Sequence, residues 1–122
     1  MRLTVVSTGN GARTKQICIG SVARQIVPES VSVGHVYVEA SEQDPSLPAS
    51  QNLFDAVNAL DSDDVCLWLD GDDWLANDHV CRFIAALYGD PDTWLTYGSY
   101  AFADGRIGHC SAYENEAYRA SP

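Results

Sequence analysis

The run Val65-Cys66-Leu67-Trp68-Leu69-Asp70-Gly71-Asp72-Asp73-Trp74-Leu75 decides how this chain is read. Its first five residues are apolar without alternation, which predicts a strand buried on both faces, as in a parallel sheet. The strand stops at Asp70, and three carboxylates follow. In an open α/β sheet, ligands bind outside the carboxyl ends of the strands, so these acids stand where chemistry is expected. Two carboxylates ~4 Å apart repel by about 4 kcal/mol at an effective dielectric of 20. A divalent cation removes that conflict. Hard Mn²⁺ or Mg²⁺ takes oxygen ligands and combines one or two carboxylates with substrate phosphate oxygens. Asp70 and Asp72 are therefore the expected metal ligands, with Gly71 letting the backbone turn between them. The plainer alternative is an acidic loop in which Asp73 caps the next turn.

Outward from that run, strand and helix signals alternate. Leu3–Ser7 is β-rich and stops at the turn signal Thr8-Gly9-Asn10-Gly11, and residues 12–25 carry apolar side chains at helical spacing. Val31 to Glu39 alternates and is β-branched, which predicts a second strand. Leu53, Phe54, Val57 and Leu60 give an amphipathic helix over 50–61, with Ser50 as its N-cap. After the acids, Asn77 is placed to cap a helix bearing Val80, Phe83, Ile84 and Leu87, with Gly89 at its C′ position. Thr93 to Ala103 reads as a fourth strand, and Asp104-Gly105 as a hairpin turn. The order β-α-β-α-β-α-β predicts an α/β fold: a doubly wound, mainly parallel sheet with helices on both faces, of Rossmann-like nucleotide-binding type. We place one domain over 1–110 and a polar tail over 111–122.

The chain has 122 residues, 46 % of them hydrophobic, and a formal net charge of −10. That composition suits one soluble domain able to bury a core without staples. The acidic balance argues against nucleic acid and anionic membrane surfaces, which require clustered Lys and Arg. No run approaches the ~20 apolar residues of a membrane span, and there is no signal-peptide core, so the cytoplasm is the expected compartment. Charge is unevenly spread, since Arg2, Arg13, Lys15 and Arg24 lie in residues 1–28 with no acid among them. Chance and an anion site near the N-terminus both account for this. Cys18, Cys66, Cys81 and Cys110 have no paired spacing and read as reduced thiols, the alternative being a zinc site drawn from His79, Cys81, His109 and Cys110.

The stretch from Trp68 to Leu75 resembles the D-x-D region of GT-A glycosyltransferases, especially the inverting family 2 type. Thr8-Gly9-Asn10-Gly11 with Cys18-Ile19-Gly20-Ser21-Val22-Ala23-Arg24-Gln25 is similar to that family's T-x-N-x-x…C-I-x-S-V-x-x-Q. Val36-Tyr37-Val38-Glu39-Ala40-Ser41 stands where the family has V-V-D-D-x-S, and Asp92 to Gly98 resembles the strand after the D-x-D helix. The likeness runs over about residues 3–105, and the D-x-D block is its specific part.

The resemblance implies a nucleoside-diphosphate sugar donor, a UDP-sugar being favoured, and a sugar or glycan acceptor. Thr8 and Asn10 would contact the nucleoside, Glu39 the base or ribose, Asp70 and Gly71 the ribose or sugar, and Asp72 the metal that bridges the diphosphate. Arg13 and Lys15 would help to neutralise phosphate. The family's general base lies well beyond the D-x-D segment, which leaves Asp104, Glu114 and Glu116 as the candidates for a base here. Such a base must reach the acceptor hydroxyl within hydrogen-bond distance. The chain therefore reads as a donor-binding half, with self-association to a homo-oligomer as one route to completion. Rival readings are a non-catalytic nucleotide-sugar-binding module, an NAD-binding fold built on Gly9-Asn10-Gly11 and Glu39, and a dehalogenase-like phosphatase. Trp74, beside the acids, is a candidate for stacking on a sugar face, whereas Trp68 and Trp94 are expected in the core.

Overall fold

The structure, a computed structural model, describes residues 1–9 and 12–109. Its sheet holds three parallel strands, β1 (Arg2–Gly9), β2 (Ser32–Glu39) and β3 (Val65–Trp68), in the order β2-β1-β3. Between and after them come α1 (Ala12–Ala23), α2 (Ala49–Asn58) and α3 (Val80–Leu87). A short antiparallel hairpin of β4 (Tyr100–Ala101) and β5 (Ile107–Gly108) follows. The fold is thus a mixed α/β arrangement with a small parallel sheet flanked by helices. Among the described residues, no helix is long and apolar enough to cross a membrane.

β1 takes the centre because neither of its faces needs water: Leu3, Thr4, Val5, Val6 and Ser7 are all buried. Leu3 registers with Val33 on one side and Val65 on the other. Leu3 and Val5 pack with Val22 of α1 and Cys81 of α3, and Val33, Leu67, Leu69 and Ile84 close around them. α2 lies against β1 on the opposite face, where Phe54 and Val57 share a cavity of about 360 Å³ with Cys66. Gln25 joins the helices of the first face. Its side-chain carbonyl accepts from the Cys81 N–H at 2.8 Å, satisfying a first-turn donor of α3, while its Nε2 donates to the Ser21 and Asn77 carbonyls at 3.1 and 2.7 Å.

Several expectations are corrected. β3 is only partly covered, with Cys66 exposed and Trp68 61 % exposed, because α2 packs on β1 and no strand borders the outer edge of β3 among the described residues. Trp94, 90 % exposed, is likewise outside the core. The fourth parallel strand over Thr93 to Ala103 does not form. Only Tyr100–Ala101 pairs, and it pairs locally, since a three-residue turn ending at Gly105 (φ 89°) returns the chain at once. Closing so short a loop costs far less entropy than reaching the sheet. α2 starts at Ala49 with Pro48 rather than Ser50 in the cap position. Asn77 accepts from the His79 N–H at 2.9 Å, one turn ahead of α3, whose cap residue is His79. Gly89 does stand at the C′ position after the Tyr88 cap, as expected, though without a positive φ. Cys110 and the tail over 111–122 lie outside the described residues.

Leu3 is fully buried at the centre of the sheet, so Leu3→Ala is expected to cost about 2–5 kcal/mol. In urea unfolding this lowers the midpoint and leaves the slope unchanged.

Candidate functional site at the carboxyl edge of the sheet

The chain steps from β1 to β2 on one side and then crosses back to place β3 on the other side of β1. Strand order therefore reverses at β1. In an open α/β sheet, the crevice outside the carboxyl ends at such a reversal is where ligands bind. Thr8 and Gly9, Glu39, and Asp70 to Asp73 all reach this edge. Gly9 registers with Glu39.

Past Trp68 the ladder continues for three more residues. The Leu69 N–H donates to the Val6 carbonyl at 3.0 Å and the Gly71 N–H to the Thr8 carbonyl at 3.0 Å, and the Asp73 N–H then closes a turn on the Asp70 carbonyl at 2.9 Å. Ser21 of α1 holds the far end of the turn, accepting from the Leu75 N–H at 3.1 Å. The result is a fixed acidic turn. Carboxylate oxygens of Asp70, Asp72 and Asp73 all lie within 4.8 Å of one another, and the three residues are exposed. Partial burial, then the charges of Asp72 and Asp70, push the Asp73 carboxyl above its ordinary range. A donor set of oxygens that repels itself suits a hard divalent cation. The alternative zinc ligands His79, Cys81 and His109 are not gathered into a cluster; Cys18, Cys66 and Cys81 are free thiols, and burial pushes Cys81 up to about 11.

The other sequence candidates sort by position. Glu39 is ion-paired with Lys15, and its N–H donates to the Glu42 carboxylate at 3.0 Å. Arg13 is exposed in the first turn of α1. Trp74, 45 % exposed, stands beside Asp73. Asp104 is away from this edge in the hairpin turn, where its two oxygens accept from the Arg106 backbone N–H at 3.0 Å and from its guanidinium at 2.7 Å. Asn10, Glu114 and Glu116 lie outside the described residues. The cavity beside Cys66 contains none of the candidate site residues in its lining.

Beneath the acidic turn lies a polar chain that sequence reasoning missed. His35 Nε2 is 2.9 Å from Ser7 Oγ, Ser7 Oγ is 3.6 Å from Cys18 Sγ, and the Cys18 thiol donates to the Asp70 carbonyl at 3.9 Å. With the thiol proton directed to Asp70, the serine proton must point to sulfur, and His35 must donate through Nε2. Its Nδ1 is buried without a partner, so the ring is held neutral, in keeping with the lowering of its pKa by burial. Burial also raises Cys18, reinforced by Asp73 and Asp72 against the opposing Ser7 hydrogen bond. The available signal was period 2: His35 and Tyr37 share the face of Val33, opposite Val5 and Ser7 in register.

Comparison with protein-family models, curated proteins and solved structures gives no significant match. The site is therefore read from its own geometry.

The depressed pKa of His35 fixes a sign. The unfolded chain binds the proton more readily, so this contribution to stability is complete above the ordinary value of 6.5 and is lost as pH falls from there toward the lower folded value. Between about pH 7.5 and 5.5, the urea midpoint is expected to fall for the native chain and to change less for His35→Gln. Equal pH dependence in the two proteins would contradict the assignment.

Proposed function

We propose that this chain binds a nucleoside-diphosphate sugar through Mn²⁺ or Mg²⁺ held by Asp70 and Asp72, and that it is the donor-binding part of an inverting glycosyltransferase of GT-A type. The observation that carries the reading is the convergence of the Asp70, Asp72 and Asp73 oxygens within 4.8 Å at the carboxyl edge, where strand order reverses. The resemblance of Trp68 to Leu75 to the D-x-D region adds the nucleotide-sugar chemistry.

The roles follow from charge and position. Asp70 and Asp72 would hold the cation. When bound, it supplies Lewis-acid stabilisation of the diphosphate leaving group. Thr8 and Glu39 border the nucleoside side, and Lys15 stands ready to share its charge between Glu39 and a phosphate oxygen. Trp74 offers an exposed ring beside the acids for the sugar. Asp104 is held by Arg106 in the hairpin turn away from this edge, so among the described residues it is not placed to deprotonate an acceptor. Self-association and residues outside the described range are both routes to a base.

Calorimetric titration with UDP and UDP-sugars, with and without Mn²⁺, tests the reading. Binding is expected only with the metal present. Asp72→Asn should weaken Mn²⁺ by more than the 10–100-fold that losing an outer-shell partner typically costs, while its circular dichroism stays that of the native chain. Glu39→Ala should weaken the nucleotide by about 1–3 kcal/mol, the range for hydrogen bonds to a charged group. Metal-independent binding of NAD would overturn the proposal. Tight donor binding with no transfer to any of a panel of sugar acceptors would favour a non-catalytic binding module.

A further inference from the structure

The acidic turn is seated on two glycines that meet across the sheet edge. A Cβ on Gly71 would come within 2.7 Å of the Thr8 carbonyl oxygen and 2.9 Å of Gly9 Cα, and a Cβ on Gly9 within 3.1 Å of Gly71 Cα. The backbone atoms that Gly71 would strike cannot step aside, so that position requires hydrogen, and Gly9 is tightly packed against it. The same two Cβ positions would also collide with the hydroxyl of Tyr37, which donates to the Gly71 carbonyl at 3.2 Å. Glycine backbone is intrinsically free to rotate. Asp70 and Asp72 flank it by one residue each, so rotation at Gly71 would change the distance between their carboxylates.

On its other side Tyr37 is gripped firmly. The Lys15 ammonium lies over its ring, 5.3 Å from the centroid, and is ion-paired with Glu39. The His35 ring packs edge-on at 6.0 Å. The hydroxyl is thereby presented to the turn from β2, an element two strands away from β3 in the sheet.

We infer that Tyr37 is a positioning residue for the acidic turn: its hydrogen bond to the Gly71 carbonyl fixes the backbone between Asp70 and Asp72 and so sets their spacing for a divalent cation. The inference rests on the reading of this turn as a cation site. Partners one layer behind metal ligands orient them, and losing such a partner typically costs 10–100-fold in affinity.

The test compares the native chain with Tyr37→Phe, Asp72→Asn and Tyr88→Phe. The last removes a tyrosine hydroxyl that bonds the Trp94 carbonyl at 3.5 Å, away from the turn. Mn²⁺ binding is followed by electron paramagnetic resonance, both as the loss of free-ion signal and as the line shape of the bound ion. Amide hydrogen exchange of residues 69–74 is measured without metal. For Tyr37→Phe we expect Mn²⁺ affinity lower by about 10–100-fold, an altered bound-ion line shape and faster exchange at 69–74, with Tyr88→Phe matching the native chain. If Tyr37→Phe binds Mn²⁺ as the native chain does while Asp72→Asn does not, the inference is overturned and the cation reading stands. If the native chain binds no Mn²⁺ but Tyr37→Phe exchanges faster at 69–74, the turn is positioned by Tyr37 and the cation reading falls. Unchanged exchange at 69–74 in Tyr37→Phe overturns the inference whatever the metal does.

Discussion

β1 is hydrogen-bonded along both edges, to β2 over its whole length and to β3 from Leu3 to Val6. That double pairing requires a strand with no side for water. The run from Leu3 to Ser7 supplies it, with Thr4 and Ser7 as the polar members: Thr4 Oγ1 donates to Asp64 at 3.1 Å, and Ser7 bonds His35. Because β2 and β3 lie on opposite sides of β1, the loops that follow them face each other across Gly9. Glu39 and the acidic turn both reach the site through this one strand: Glu39 through the register with Gly9, and Asp70 to Asp73 through the bonds to the Val6 and Thr8 carbonyls.

The fold and the charge of the site pull against each other. Three aspartates in one turn raise the cost of the compact state, and the charges of Asp72 and Asp70 add to the burial that shifts Asp73 upward. The field reaches further, since Asp72 adds to the burial that raises both Tyr37 and Cys18. Natural sequences break local rules at functional sites and offset the cost elsewhere. Here the offset is the backbone bonding of Leu69, Gly71 and Asp73, none of which depends on the carboxylates being paired. The acids are thus held close by main-chain bonds while their charges remain available.

Sequence reading captured what local pattern encodes. The order of the first three strands and three helices, the parallel sheet and the acidic turn at a strand end were legible, because β-branched runs, helical spacing and turn residues report directly on backbone state. Partnership was less so. Thr93 to Ala103 has strand composition, yet composition does not say which edge receives it, and the Asp104-Gly105 turn captured Tyr100 and Ala101 into a hairpin. Val65 to Leu69 is apolar throughout, yet exposure of Trp68 depends on how far α2 extends across the sheet. Tyr37 and His35 were invisible as site residues for the same reason: their roles arise from register with Ser7 and from the close approach of Gly9 and Gly71, neither of which a single sequence reveals.

On the proposed reading, the electrostatics also set an order of events. Of the two cations of α1 near this edge, Lys15 is committed to Glu39 and to the face of Tyr37. A diphosphate arriving at the metal-free edge would meet three carboxylates while Lys15 is already engaged. A divalent cation arriving first meets only attraction. With a cation seated, the turn would change from a barrier to an anchor for phosphate oxygens, and Lys15 would gain a second anionic partner beside Glu39. Cation before nucleotide is then the favoured sequence. The ring of Tyr37 lies beneath Lys15 while its hydroxyl bonds the main chain of the turn, so this side chain touches both the cation of α1 and the acidic turn.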